Sequence, residues 1–144
     1  MKVQDFSNHR RLVPLYHVFT FLLLLVLGVG SIVHFKHTLS YGHGRLDAAM
    51  MVVAFVILSS VYFYARLFAL RAQDRAIRAE ENLRHFVLTE KLLDSRLTIS
   101  QIIALRFATD DEFIELAKRA ADENMSQDDI KKAIKHWRPD HHRV

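Results

Sequence analysis

From Leu12 to Phe35 the chain carries no Asp, Glu, Lys or Arg. About 20 apolar residues, each rising ~1.5 Å, cover a hydrocarbon core of roughly 30 Å, so this run is long enough to cross a bilayer as one helix. A cleaved export signal has a shorter apolar core, about 7–15 residues, and a small-residue cleavage site behind it. Here the run ends in Ile32-Val33-His34-Phe35-Lys36, which offers no such site. Arg10-Arg11 invites a twin-arginine reading, but a full-length span with a second apolar run behind it argues for an anchor.

The second run, Ala48 to Ala65, is bounded by Asp47 and Arg66 and extends through Leu67, Phe68 and Leu70. Between the two lies Lys36 to Arg45, where Gly42 and Gly44 permit a sharp reversal. The expected product is a transmembrane helical hairpin, in which every backbone polar group is satisfied within its own helix. The chain then divides into an N-terminal segment 1–11, a first span 12–35, a loop 36–45, a second span 46–70, a helical extension 71–97 and a C-terminal module 98–144.

Lys and Arg near the span ends set the expected orientation. Lys2, Arg10 and Arg11 precede the first span, and Arg66, Arg71, Arg75 and Arg78 follow the second, whereas the connecting loop holds only Lys36 and Arg45. Both termini are therefore expected on the cytoplasmic side of an inner membrane. Tyr16 and Phe19 on one helix and Tyr62, Phe63 and Tyr64 on the other then fall at one interface, as an aromatic belt does. Pro14 suits the start of the first helix, where its missing N–H has no intrahelical partner.

From Arg66 to Val144 the composition changes, to 15 Lys or Arg against 14 Asp or Glu. That near balance lacks the basic excess of a nucleic-acid binder. Absence of cysteine excludes disulfides, thiol nucleophiles and thiolate metal sites. No Gly or Pro interrupts the chain between the second span and Pro139, so the helix is expected to continue to about Asp94. Along it Ala69, Ala72, Ala76, Ala79, Leu83, Phe86 and Leu93 recur at spacings of three and four, a heptad-like seam broken at Glu90. Such a seam serves either packing against later helices of the same chain or self-association.

Three capping signatures divide the remainder: Thr98 with Gln101, Thr109 with Glu112, and Ser126 with Asp129. Three short helices follow from them. Their apolar stripes are Ile99, Ile102, Ile103 and Phe107, then Phe113, Leu116, Ala117 and Ala120, then Ile130, Ile134 and Trp137. With Leu92, Leu93 and Leu97 these close a small core that needs the long helix as a wall.

The start, Phe6-x-Asn8-His9-x-Arg11-x-x-Pro14-x-x-His17, and the end, from Arg106-Phe107-Ala108 through Asp110 and Glu112 to Ile130-Lys131-Lys132-Ala133-Ile134-Lys135, Trp137, Arg138 and Asp140, carry a resemblance. The chain resembles a family of small bacterial membrane proteins catalogued only as a domain of unknown function. The resemblance implies the membrane topology, brings no activity with it, and marks these polar residues as more than surface filler.

Among chemistry-bearing residues, His17 and His34 lie 17 positions apart, about 25 Å along one helix, too far for one metal. Either is a weak candidate for haem or quinone ligation with a partner's histidine, since the second span has none. His136, His141 and His142 with Asp140 match no metal-binding spacing, so no metal site or cofactor is assigned. Asp110-Asp111-Glu112 sits where a helix N-terminus stabilises carboxylates. With no phosphate loop, nucleophile elbow or paired-His zinc helix, an enzyme is not expected. Charge-free spans argue against a transport path through one copy.

The fold expected is all-α: a transmembrane hairpin, a long cytoplasmic helix extension and a module of three short helices. The role expected is a scaffold or accessory subunit in contact with lipid and with another membrane protein or further copies of itself. Arg106, Phe107, Asp110, Lys131, Lys132 and Trp137 are the residues expected to meet a partner or to seal the module. A cofactor-binding electron-transfer subunit and a homo-oligomeric channel are the alternatives.

Overall fold

The computed structural model describes residues 5, 6, 8 and 12–140. Arg10, Arg11 and, at the other end, His141 and His142 lie outside these. A π-wound segment, Leu15–Thr20, leads directly into α1 (Phe21–Tyr41). There follow α2 (Arg45–Thr89), α3 (Ile99–Leu105), α4 (Asp110–Asp122) and α5 (Gln127–Ala133). Among the described residues the only extended pairing is one antiparallel bridge, Ala108 with Trp137. The fold is all-α, with a long apolar helix followed by a longer one. The chain divides into two compact units, 12–68 on one hand, and 69–140 with Asp5, Phe6 and Asn8 on the other.

Within 12–68, α1 and α2 are joined by three residues only. The helix expected to end at Phe35 runs to Tyr41, because nothing in Lys36–Tyr41 breaks it, and Gly42 (φ 78°) accepts the left-handed conformation that closes its last turn with an N–H to Thr38 O bond of 3.0 Å. Close approach is set by small residues. A Cβ on Gly28 would stand 2.7 Å from the Phe55 ring, and Ser31 is buried against α2, its hydroxyl donating to Leu27 O at 2.6 Å and lying 3.5 Å from Met51 O. At the N-terminal end Pro14 removes one helical N–H, and Thr20 donates its hydroxyl to Leu15 O, five residues back, at 2.9 Å. There Tyr16 stacks on Tyr62 with centroids 4.5 Å apart, and each hydroxyl donates to the other's backbone carbonyl, at 2.5 and 3.1 Å.

Both helices are long and apolar enough to cross a membrane. Only 11% of the most apolar stretch of the first, and 6% of the second, is buried within the protein.

In the other unit, α2 ends at Thr89 rather than near Asp94. Glu90 takes a left-handed φ of 59°, its N–H bonding Phe86 O at 2.7 Å, and the chain folds back. Side chains on the last turns of α2 hold the returning strand of backbone: Asn82 accepts from Leu93 N at 3.0 Å and the His85 ring lies 2.7 Å from Lys91 O. Leu93 thereby leaves the expected seam and packs on the module's core. That core comprises Leu97, Ile102, Ala104, Leu105, Phe107, Ala108, Phe113, Leu116, Ala117, Ala120, Ile130 and Ile134. The expected stripes are all represented, while Ile99 is exposed.

The three expected caps differ. Thr98 and Gln101 form a complete capping box. Buried Gln101 also donates to Met125 O at 2.9 Å, tying the start of α3 to the end of α4. Ser126 accepts from Asp129 N. Thr109 makes no side-chain cap: the Glu112 N–H donates to the Thr109 carbonyl at 3.1 Å, and the Glu112 carboxylate is engaged elsewhere. The third helix stops at Ala133 instead of continuing to Trp137, Ile134 being extended (ψ 122°).

Replacing Gly28 by Val is expected to destabilise the α1–α2 pair by about 1–3 kcal/mol through overpacking, and adding Phe55→Ala to recover part of that. Denaturant unfolding of the detergent-solubilised full chain, followed by circular dichroism, reads both.

Candidate interface site

The polar residues of the second unit converge on one guanidinium. Arg84, with its side chain 11% exposed, bonds Glu81 at 3.0 Å through Nη1, Asp110 at 2.6–2.7 Å through Nη2 and Nε, and Ala108 O at 2.8 Å through Nη2. Its Cζ stands 4.3 Å from the centroid of the Phe113 ring. The fork geometry allows these bonds at once, which an ammonium does not. Buried Glu81 is shared, since Arg138 Nη1 approaches its other oxygen at 3.8 Å. Helix α2 is thus fixed to the corner between α3 and α4.

The C-terminal strand of backbone closes the opposite side of that corner. Arg138 N donates to Phe107 O at 2.7 Å, which aligns Trp137 with Ala108 and sets its ring 4.9 Å from that of Phe107. Arg106 bonds Asp140 at 3.3 Å and lies 4.7 Å over Phe107. Glu112 clamps the turn that follows α5: its carboxylate accepts from Lys135 N at 3.0 Å and His136 N at 3.2 Å, and meets the His136 ring at 2.7 Å. Burial pushes the Glu112 carboxyl up, but the Lys135 N–H and the His136 ring and N–H outweigh it and hold it below the ordinary value. At the far edge Arg96 bridges Asp94 (2.7 Å) and Asp122 (2.8 Å), and its hydrogen bonds bring Asp94 down to about 2.

Between α2 and residues 138–140 lies a cleft of about 370 Å³, lined among others by Gln73, Glu80, Glu81, Arg106, Arg138 and Asp140. Most of its charges are matched: Glu81 with Arg84 and Arg138, Arg106 with Asp140. The arrangement offers paired donors and acceptors at its rim rather than an excess of one sign.

The six residues singled out from the sequence separate into two groups. Phe107 (1% exposed), Arg106 and Lys131 are buried in the module's own packing, and Trp137 is half-buried on Phe107, so these four seal it. Asp110 is exposed but held by Arg84, and Lys132 is exposed, its Nζ 5.8 Å from the Phe6 ring. His17 has its Nδ1 about 3 Å from Val13 N and O, and His34 faces outward from α1; the two are not brought together. Among the described residues no three His, Asp or Glu side chains gather as metal ligands. Arg138, which shares Glu81 with Arg84, was marked through the family resemblance, whereas Glu81 and Arg84 were missed by sequence reasoning. Their signal was faint: an acidic and a basic residue three apart on α2, on the side away from the alanine seam.

Two predictions follow from this geometry, both read from the single tryptophan, Trp137, which packs against the core. Arg84→Ala should cost about 2–3 kcal/mol, because Glu81 stays buried with only a distant partner, and Arg84→Lys should recover little of it. A folded carboxyl held below its ordinary pKa contributes stability that is present above the ordinary value and lost as pH falls through the lowered one. Glu112→Gln should therefore weaken the module at neutral pH by about 1–2 kcal/mol and flatten its acid unfolding limb, measured by Trp137 emission against pH.

No match is found to any curated protein or to any solved structure. Over residues 1–144 the chain matches the family of unknown function DUF6526, and it belongs to that family.

Proposed function

We propose that this chain is a two-span protein of the cytoplasmic membrane of a bacterium, with both ends on the cytoplasmic side, acting as a non-enzymatic scaffold or accessory subunit. The hairpin holds the helical module at the membrane surface, where the module meets a membrane-protein partner. The observation that carries this reading is the contrast in burial. The module buries its large apolar side chains in a core of its own, whereas α1 and α2 leave Leu22, Val26, Val29 and Val33, and Val53, Val56, Ile57 and Val61, exposed. Two such helices in water would present an apolar surface far beyond what a soluble chain tolerates. In lipid the same surface is at no disadvantage.

Further support comes from the ends. Phe6 belongs to the same compact unit as the module and lies against Lys132, which an even number of crossings permits. The excess of Lys and Arg at those ends over the connecting loop agrees with a cytoplasmic placement. The rim of the cleft and of the hollow beside it, with Glu80, Asp110, Asp111 and Arg138 exposed, supplies the polar contacts of a partner surface.

Because the chain has no cysteine, single-Cys variants report topology without background. Cysteine at Gly44 should react with a membrane-impermeant maleimide added to intact cells, while cysteine at Asp128 should react only after the cells are opened. Equal labelling of both in intact cells would refute the topology.

A further inference from the structure

Ala72, Ala76, Ala79, Leu83 and Phe86 recur along α2 at spacings of four, three, four and three, and all are exposed. Leu83 is 63% exposed, Phe86 48%, and Val87 beside them 73%. The module uses another face of the helix. Its contacts are made by Ile77, Glu81, Arg84 and His85, centred about 165° away at ~100° per residue, so the seam lies outside that packing, with Ala76 at the border of the cleft toward residues 138–140. An apolar stripe of 3.5-residue period is the pattern by which two helices pack knobs into holes.

We infer that this face of α2, from Ala72 to Val87, is the interface with a second copy of the same chain, packed parallel and in register. Charge selects both the occupant and its direction. With Ala76 and Leu83 at position a and Ala72, Ala79 and Phe86 at d, the flanking g and e positions hold Arg75 and Glu80. In a parallel pair a g residue faces the e residue five positions later on its neighbour, so Arg75 meets Glu80 of the partner subunit and the relation repeats by symmetry. An antiparallel pair sets g against g and e against e, bringing like charges together. Among the ion pairs of the described residues neither Arg75 nor Glu80 takes part, so both are available.

The small residues come first and the large ones last. Ala72, Ala76 and Ala79 let the backbones approach closely, and Leu83, Phe86 and Val87 supply the apolar area farther along. So short a seam is marginal between chains free in solution. This inference rests in part on the membrane reading: copies inserted the same way already have α2 parallel and share a surface that raises their effective concentration.

The test uses the full chain in native membranes. Single cysteines are placed at the seam (Ala79→Cys, Ala76→Cys) and on the helix side away from it (Arg71→Cys), then oxidised with copper phenanthroline. Disulfide-linked dimers are expected at 79 and 76 and several-fold less at 71. Arg75→Glu and Glu80→Arg should each lower the Ala79→Cys dimer several-fold, and the two together should restore it. Equal cross-linking at 71 and 79, or absence of rescue by the double change, would overturn the parallel seam. Trp137 emission identifies any variant that has lost its fold, and the exposed Glu80→Gln then replaces it as the milder change, expected to lower the dimer less. Fractionation keeps the two readings apart: a chain recovered in the soluble fraction defeats the membrane reading, whereas a membrane-bound chain that does not cross-link defeats only the dimer.

Discussion

The module depends on a positive charge that its own short helices do not carry. Helices of seven residues, as α3 and α5 are, and of thirteen, as α4 is, are too short to be stable alone, and a core built from the three leaves its Phe113 side open. Arg84 of α2 closes that side, spreading its donors over a carboxylate on its own helix, a carboxylate at the start of α4 and the carbonyl of Ala108, with its plane near Phe113. Each partner arrives from a different stretch of chain, so one side chain specifies where the α3–α4 corner lies against α2. An apolar residue there would bury similar area without selecting a register. The polar solution costs desolvation of Glu81, which is offset by two guanidinium groups, those of Arg84 and Arg138.

The parts of this architecture legible from sequence are those governed by one-dimensional patterns. Apolar run length identified the two long helices, and capping pairs with 3.6-residue stripes located the three short ones, down to Phe113, Leu116, Ala117 and Ala120 as core. What escaped is governed by competition between partners. Glu112 stands where a capping box would use it, yet the two backbone donors at Lys135 and His136 offer more than the one at Thr109, and no local pattern reveals that they are near. Trp137 continues a helical spacing on paper, but the chain extends after Ala133 and places the ring on Phe107 through a bridge to Ala108. The end of α2 was missed for a related reason. Glu90 has no intrinsic liking for a left-handed φ, and the turn is held by Asn82 and His85 from the preceding helix and by packing of Leu93.

The same contrast applies to the site. Arg106, Phe107, Lys131 and Trp137 stand out in sequence because they are unusual together, and they turn out to be held by one another and by the core. Residues with less distinctive neighbours, Glu81 and Arg84, organise the polar belt. A motif of mixed basic and aromatic residues therefore has a structural use in a small module, where the stem of Arg106 and the face of Phe107 supply covering area that a core this size lacks.

Helix α2 beyond residue 69 has two working faces of different kinds. One is polar and buried, with Ile77 between charged residues that meet the module. The other is apolar and exposed among the described residues. A helix serving only as a wall would gain solubility from charges at Leu83, Phe86 and Val87, since fully burying such a side chain is worth about 1.5–3 kcal/mol and leaving it in water forgoes that. Three of them within two turns, bordered by Arg75 and Glu80 at complementary positions, describe a surface whose stability is completed between chains. If two chains meet there, each module, attached to the other face of its own α2, remains on the outside of the pair, and Glu80, which borders both surfaces, is the side chain that self-association and partner binding share.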